Sequence, residues 1–215
     1  LTTTCCQIDL IKLFKGGFST GHGYLREPQS IASYAALAAI AIQSNQNDQH
    51  GGQGVPNFDY AMADGVRKTF AKVYGRKLQE VLEDTLGTTD EKALASAALA
   101  AGQQATGEEA RMGIQEQAFD DAVIASLAAS GRVAPEMAEH IVKNVRRRAL
   151  QQTDRETYQA MEGFVHNLNT MHSRAGAQTP FSSINYGTDT TPEGRMAIRN
   201  ILKATDSGLG HGETA

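Results

Sequence analysis

The sequence is poor in cysteine and contains no tryptophan. Its 215 residues include only two cysteines, which are adjacent at Cys5 and Cys6. Neighbouring cysteines rarely bridge each other, because the ring is strained and successive side chains of a strand point to opposite faces. The pair therefore excludes a disulfide framework and indicates a reducing compartment, so we expect a cytoplasmic protein.

Long apolar runs and an excess of one charge are also missing. The longest apolar stretch, Ala35 to Ile42, is far below the roughly 18 residues that a membrane span requires. The chain carries 20 basic and 24 acidic side chains, a balance that gives no sign of a nucleic-acid arm. The histidines lack ligand spacing, so no metal site is predicted in this chain. We expect no contact with membranes and no direct binding of nucleic acid.

The pattern that is present predicts an α/β protein with short strands near its two ends. Cysteines and β-branched residues predict a first strand at about 3–9, and a second is predicted at about 179–186. The polar, glycine-rich stretch from Asn45 to Gly54 is predicted to be a loop. Two strands do not make a stable sheet alone, so partner strands are expected outside this chain.

Helices are predicted for most of the remaining sequence. Apolar side chains recur at helical spacing in three segments, at about 28–75, 77–172 and 191–206. One helix is expected to end near Tyr74 before the next begins at Lys77. The sequence Thr153-x-x-Glu156 is a capping box, which predicts that a long helix begins there.

The residue types alone do not name a reaction. A cysteine such as Cys5 or Cys6 can be a metal ligand, a nucleophile, a hydrogen-atom donor or a small core residue. The glycine-rich stretch 16–23 fits a tight loop better than a phosphate loop, because it lacks the Lys-Ser/Thr pair of the latter. The basic run Arg146 to Arg148 predicts a solvated helix face, with a phosphate partner as the alternative.

Three blocks of the sequence are long and distinctive. The first, Thr4 to Ile31, contains Thr-Cys-Cys-Gln-Ile-Asp-Leu-Ile-Lys-Leu-Phe; the second, Ala36 to Asp59, contains Ser-Asn-Gln-Asn-Asp-Gln-His-Gly-Gly-Gln. The third, Tyr158 to Thr214, contains His-Ser-Arg-Ala-Gly-Ala-Gln-Thr-Pro-Phe-Ser-Ser-Ile-Asn-Tyr-Gly. These blocks resemble the anaerobic (class III) ribonucleoside-triphosphate reductase family, and the resemblance is loosest from about Arg76 to Gln152.

The resemblance implies a glycyl radical enzyme built on a ten-stranded α/β barrel, two strands of which would lie in this chain. In that family an activating protein with an iron–sulfur cluster and S-adenosylmethionine creates the glycyl radical, which passes to a cysteine on a finger loop. Ribonucleoside triphosphates are then reduced to deoxyribonucleoside triphosphates with formate as the reductant. The family enzyme is a homodimer regulated by ATP and deoxynucleoside triphosphate effectors.

The resemblance assigns the catalytic role in this chain to one of the two cysteines. The family cysteine of the first barrel strand lies three residues before an Ile-Asp pair, and here that position is Cys5, before Ile8 and Asp9. It would face the substrate and take part in loss of the 2′-hydroxyl. Cys6 would then point into a helix layer, and it is the alternative because a bulge could exchange the two.

The resemblance also assigns binding residues. The helices at about 28–75 match the family's dimer and effector region, and the strand at about 179–186 matches a second barrel strand beside the nucleotide pocket. The implied substrate-binding residues are Gln178, Ser182, His172 and Ser173. The implied effector-binding residues are Arg26, Gln29 and Lys72.

Several parts of the family's apparatus are expected outside this chain. The ATP-cone region would precede Leu1, while the finger-loop cysteine, the zinc-binding cysteines and the glycyl radical loop would follow Ala215. We therefore expect these 215 residues to be an internal fragment of the large subunit, inactive alone. Zinc and the glycyl radical are accordingly not expected within it.

Two alternatives differ from the reductase interpretation in class. A formate-lyase-like glycyl radical enzyme uses an adjacent cysteine pair on its finger loop, whereas here the pair opens a strand that a glycine-rich loop follows. A non-enzymatic helical interaction module is the second alternative. A redox-inert Cys5 and a self-contained helical core would favour that module.

Overall fold

The computed structural model describes residues 5–21, 23–48, 51–87, 90–107, 112, 116–172 and 178–215. Helices dominate these residues, and the strands are short. The helices are α1 Leu10–Phe14, α2 Ile31–Asp48, α3 Phe58–Leu86, α4 Glu91–Thr106, α5 Glu116–Ala129, α6 Pro135–Thr170 and α7 Pro192–Ser207. The strands are β1 Cys6–Gln7, β2 Phe18–Ser19, β3 Tyr24–Leu25, β4 Gln53–Val55 and β5 Ser182–Ile184.

Three of the strands form a parallel sheet in the order β1-β4-β5. Cys6 pairs with Gln53, which in turn pairs with Ser182, and the neighbouring row joins Gln7, Gly54 and Ser183. Strands β2 and β3 form a separate antiparallel hairpin. The described residues are thus an α/β arrangement with a small parallel sheet, and they contain no closed barrel.

The central strand β4 lies in the stretch that the sequence analysis predicted to be a loop, so that prediction was wrong for Gln53–Val55. This strand lacks the usual sequence signal, because two of its three residues are a glutamine and a glycine. The Gln53 side chain is buried at 3% exposure, yet its amide is fully hydrogen-bonded to α2. Local sequence could not reveal those partners, because they belong to a helix that packs on the strand only in the folded chain.

Two predicted helix boundaries were also wrong. Helix α3 continues through Gly75, where a Cβ atom would stand 3.3 Å from the Leu99 side chain, so close packing against α4 accounts for the glycine. Helix α6 continues through Thr153, which is buried inside the helix instead of capping its start. The capping box was a chance match within a continuous helix.

The chain divides into two compact units. The first comprises Leu1–Val66 with Arg155–Ala215, and the second comprises Arg67–Asp154. Aromatic pairs mark the core of the first unit: Phe14 meets Tyr34 edge to face at 5.3 Å, and Phe58 lies 5.3 Å from Phe164. Both pairs lie in the range where aromatic rings attract.

The second unit has a polar cluster in its core. Asp120 accepts hydrogen bonds from Arg146 and from the Tyr74 hydroxyl group, and the Arg146 guanidinium stands 5.4 Å from the ring centres of Phe70 and Tyr74. Burial and the neighbouring Asp120 carboxylate raise the pKa of Tyr74, and Arg146 partly opposes them. The expected solvated face therefore holds only for Arg147 and Arg148, which are exposed.

Candidate functional site

A cleft of about 430 Å³ lies on the sheet of the first unit. Residues from all three strands and from the positions just before them line it; these residues are Cys5, Cys6, Gln7, Gly52, Gln53, Gly54, Phe181, Ser182 and Ser183. Parallel sheets are normally covered on both faces. Among the described residues, the side chains on one face, those of Cys5, Gln7 and Ser183, are exposed, which makes the cleft the first candidate for a binding site.

The in-register pairing divides the lining residues between two faces. Cys6, Gln53 and Ser182 share one row and therefore one face, which α2 covers. Gln7, Gly54 and Ser183 share the next row and the open face. Cys5, one residue before Cys6, belongs to the open face as well, and its side chain is exposed.

Two glycines in and before the central strand form the floor of the open face. A Cβ atom on Gly54 would stand 3.5 Å from Ser183 Oγ, and one on Gly52 would stand 3.1 Å from the Phe181 ring. Neither position carries a side chain, so this part of the chain adds no side chain to the floor of the cleft. Glycine within a strand often marks close approach of a ligand or of another backbone.

Phe181 borders this floor with 80% of its surface exposed. A large aromatic side chain so exposed beside an open sheet face is typical of a surface that another element or molecule covers. The exposed Phe181 and the open cleft are continuous, so whatever covers one also closes the other.

The covered face holds a polar network that the sequence analysis missed. Asn45 Nδ2 donates to Cys6 Sγ at 2.9 Å and to Gln53 Oε1 at 2.7 Å. Gln53 Nε2 donates to the Ile42 carbonyl oxygen and to Gln46 Oε1. Cys6 therefore faces the helix layer, as the sequence analysis expected. Gln53 could have been identified from the sequence only if strand β4 had been predicted.

The predicted substrate-binding residues are not all in one place. Ser182 lines the cleft but shares the covered face with Cys6, whereas its neighbour Ser183 shares the open face with Cys5. The sequence predicts Ser182 and Cys5 at the same substrate pocket, whereas the register puts their side chains on opposite faces of the sheet. Gln178 and His172 are exposed and do not line the cleft. Ser173 lies outside the described residues.

Two of the predicted effector residues line a second pocket of about 700 Å³. Arg26 and Gln29 line it together with Ser33 in the first turn of α2 and Tyr24 of β3. The N-terminal end of a helix favours anions because its backbone N–H groups and its dipole point toward them. Both Arg26 and Gln29 are exposed. Lys72 is exposed on α3, in the second unit.

A buried carboxylate holds the backbone that follows the sheet. Asp59, in the first turn of α3, accepts hydrogen bonds on Oδ2 from the backbone nitrogens of Gly187, Thr188 and Asp189 at 2.8, 3.1 and 2.9 Å. Burial alone would raise the pKa of Asp59. Hydrogen bonds from backbone N–H groups outweigh burial and hold it below its usual value. We call these three hydrogen bonds to Asp59 the carboxylate latch. The carboxylate latch joins the segment that follows β4 to the segment that follows β5.

A family model of anaerobic ribonucleoside-triphosphate reductase matches residues 1–215. The chain belongs to this family. The enzyme of that name from Enterobacteria phage T4 is 25% identical over 208 residues, which cover 97% of this chain and 24% of the relative. The enzyme of that name from Salmonella typhimurium is 23% identical over 206 residues, which cover 96% of this chain and 20% of the relative.

The reductase-family chain thus spans about a quarter of one of these relatives and about a fifth of the other. Membership over its whole length favours the reductase interpretation over both alternatives from the sequence. Among the residues that the structure describes, no three His, Cys, Asp or Glu side chains are grouped to hold a metal ion. In the same part of the chain, no helix combines the length and apolar character needed to cross a membrane.

Proposed function

We propose that this chain forms the N-terminal part of the catalytic barrel of an anaerobic ribonucleotide reductase, with the sheet β1-β4-β5 as part of the barrel wall. The enzyme converts ribonucleoside triphosphates to deoxyribonucleoside triphosphates with formate as the reductant. Family membership over residues 1–215 supports the reaction class. The observation that carries the proposal is an exposed thiol, that of Cys5, at an open cleft on a parallel sheet.

The cleft suits a substrate that the remaining strands of the proposed barrel enclose. Gly52 and Gly54 leave its floor free of side chains, and Cys5 and Ser183 flank that floor on the open face. In the proposed barrel this face is the interior, and the remaining strands pair with the edges of β1 and β5. Such closure excludes water from the reacting groups.

Cys5 is the residue of this chain to which we assign chemistry. In the net reaction formate is oxidised to carbon dioxide, its two electrons reduce the 2′ carbon of the ribose, and the 2′-hydroxyl leaves as water. Cys5 takes part in that loss, because its S–H group can supply the proton that turns the hydroxyl into water, and the one proton that the net reaction consumes from solution restores the thiol. The open face fits this role, since Cys5 is exposed there while Cys6 faces α2.

The radical chemistry belongs to groups outside this chain. A glycyl radical supplies hydrogen-atom abstraction at the 3′ carbon through a finger-loop cysteine. An iron–sulfur and S-adenosylmethionine activating protein is the proposed partner that creates the radical, and the zinc site is likewise proposed to lie elsewhere. The enzyme is proposed to be a cytoplasmic homodimer whose ATP or deoxynucleoside triphosphate effector binds the pocket of Arg26 and Gln29.

The proposal is tested by replacing Cys5 in the full-length reductase. We expect Cys5→Ser to abolish formate-dependent formation of deoxyribonucleotides, because a hydroxyl group cannot replace the thiol in this step. The glycyl radical signal in electron paramagnetic resonance should keep its normal intensity, since the radical forms elsewhere. The matched control is Cys6→Ser, which alters the neighbouring thiol on the covered face and should retain most of the activity.

Two results would contradict the proposal. Retention of activity in Cys5→Ser would show that the thiol at the cleft is not used. Loss of the radical signal in the same variant would mean that Cys5 serves radical formation or folding and not the reduction step.

A further inference from the structure

A hydrogen-bond chain lies between α2 and the sheet, beneath the cleft. Gln53 and Gln46 are each 3% exposed, and Asn45 stands between Gln53 and Cys6. Buried amide groups persist where every polar atom has a partner, so a chain of them fixes geometry more tightly than apolar packing does. The proposed reduction step makes no direct use of these amides.

The orientation of both amides follows from one backbone carbonyl. The Ile42 oxygen can only accept, and Gln53 Nε2 donates to it at 2.9 Å. The other end of that amide, Oε1, must then face Asn45, and Asn45 Nδ2 donates to it at 2.7 Å. Acceptor and donor alternate from the helix backbone to Asn45, which leaves no freedom to flip either amide.

The last link of the chain reaches the Cys6 thiol. Asn45 Nδ2 carries two protons, of which one goes to Gln53 and the other points to Cys6 Sγ at 2.9 Å. The sulfur atom is therefore the acceptor, and Cys6 is held on the covered face. Because successive strand residues point to opposite faces, holding Cys6 there also holds Cys5 on the open face.

Strand β1 is only two residues long, so few backbone bonds fix its register. At its two ends, Cys6 N donates to the Gly52 oxygen at 3.4 Å and Ile8 N donates to the Gly54 oxygen at 2.8 Å. A slip of one residue, or a bulge, would bring Cys6 to the open face and hide Cys5. The first of these backbone bonds is too long to prevent that alone.

We propose that Asn45 and Gln53 are positioning residues that decide which thiol of the adjacent pair faces the cleft. Gln53 orients Asn45, and Asn45 holds Cys6 on the helix side. The inference deepens the proposed function, and only its catalytic consequence rests on that function. The selection of one thiol can be measured without any turnover.

The test measures alkylation of the two thiols by iodoacetamide in the full-length reductase, with fragment-ion mass spectrometry to separate the adjacent cysteines. Both rates are taken in the same sample at one alkaline pH, so that their ratio reports the relative access of the two thiols. We expect Cys5 to react at least about tenfold faster than Cys6. Asn45→Leu should raise the Cys6 rate about fivefold to tenfold, which corresponds to the loss of one or two hydrogen bonds.

The matched control is Asn47→Leu, an exposed asparagine two residues along the same helix that takes no part in the network. It should leave the ratio of the two rates unchanged. Equal alkylation of Cys5 and Cys6 in the unaltered protein, or an unchanged ratio in a folded Asn45→Leu variant, would overturn the inference. Neither result would affect the outcome of the Cys5→Ser experiment, so the two proposals can fail separately.

A second variant tests the direction of donation in the hydrogen-bond network of Asn45 and Gln53. It also covers the case in which Asn45→Leu does not fold. Gln53→Glu keeps an oxygen for Asn45 but turns another oxygen toward the Ile42 carbonyl and Gln46 Oε1. At neutral pH the ratio of the Cys6 rate to the Cys5 rate should rise, and the ratio should fall again as the introduced carboxyl gains a proton that it can donate. Full protection of Cys6 in this variant at all pH values would contradict the proposed orientation.

Discussion

At the level of single residues, the cleft depends as much on missing side chains as on the thiol. Cys5 contributes a reactive atom, but Gly52 and Gly54 create the space beside it. Gly54 does not adopt a positive φ angle, so its backbone does not require glycine. Its role is therefore the empty volume above the strand.

The variant Gly54→Ala tests whether the empty volume above the strand serves substrate binding or folding. A Cβ atom there would make ordinary contact with Ser183 Oγ at 3.5 Å, so the variant should fold and keep its unfolding free energy within about 1 kcal/mol. The methyl group projects into the cleft, and we expect kcat/KM for the ribonucleoside triphosphate to fall about tenfold, as overpacking of 1–3 kcal/mol implies. Steady-state kinetics and thermal unfolding measure the two effects.

Gly163→Ala is the matched control for glycine replacement, since nothing lies within 4 Å of its added Cβ atom and it belongs to helix α6. It should stabilise the helix by about 1 kcal/mol and leave the kinetics unchanged. Full activity of Gly54→Ala would show that substrate does not approach the central strand.

At the level of secondary structure, the N-terminal turn of α3 is tied to the segment after β5. Three backbone N–H groups from Gly187 to Asp189 converge on one oxygen of Asp59, while Tyr60 N donates to the other oxygen. The following residues lead into α7, whose first turn is capped by Thr191. A single carboxylate thus orders the connections on which the sheet register depends.

We expect Asp59→Ala to lower the free energy of unfolding by about 3 kcal/mol or more, because several charge-assisted hydrogen bonds are lost together. The folded-state pKa of Asp59 lies below its usual value. Its contribution is therefore complete above the unfolded-state pKa of about 3.9 and is lost as the pH falls through the lower, folded-state pKa. Urea unfolding across a pH series, followed by circular dichroism, measures both effects.

Asp206→Ala removes an exposed aspartate from α7 and serves as the control. It should change the unfolding free energy by less than about 0.5 kcal/mol. If Asp59→Ala has the same acid sensitivity between about pH 2 and pH 4 as the unaltered protein, the carboxylate latch does not account for the pH dependence.

At the level of the whole molecule, helix α2 connects the two candidate sites. Ser33, Ala36 and Leu37 of its first turns line the pocket of Arg26, while Asn45 near its other end holds Cys6 beneath the cleft. The 18 residues of the helix span about 27 Å at 1.5 Å per residue. An effector in the first pocket would therefore bind the same rigid element that orients the cysteine pair.

Replacement of Arg26 tests the effector assignment in the full-length reductase. We expect Arg26→Ala to weaken binding of deoxyadenosine triphosphate by about tenfold or more, since an arginine–phosphate contact contributes about 1.5–3 kcal/mol. Isothermal titration calorimetry measures the affinity. The control Arg195→Ala removes an exposed arginine of α7 that does not line the pocket, and it should bind normally. Unchanged affinity in Arg26→Ala would remove this residue from the effector site.

Features of the site that depend on neighbouring residues in the sequence could be predicted from the sequence. The alternation of a strand predicts that Cys5 and Cys6 point to opposite faces; in the structure Cys6 accepts a hydrogen bond from α2 and Cys5 is exposed. The short strand at Ser182–Ile184 lies inside its predicted range. The choice between Ser182 and Ser183 did not follow, because it depends on pairing with β4. That strand has no local signal, since its buried glutamine is stabilised only by partners from a separate helix.

The sequence by itself determined the family, the helical middle and the adjacent cysteine pair, because these are carried by long motifs and by the periodicity of apolar residues. Tertiary structure alone decided that Gln53–Val55 is the central strand, that Ser183 and not Ser182 shares the face of Cys5, and that Asn45 holds Cys6. Each of these depends on hydrogen bonds between segments that are separate in sequence. Such bonds satisfy buried polar groups only when the chain is folded, so no local pattern records them.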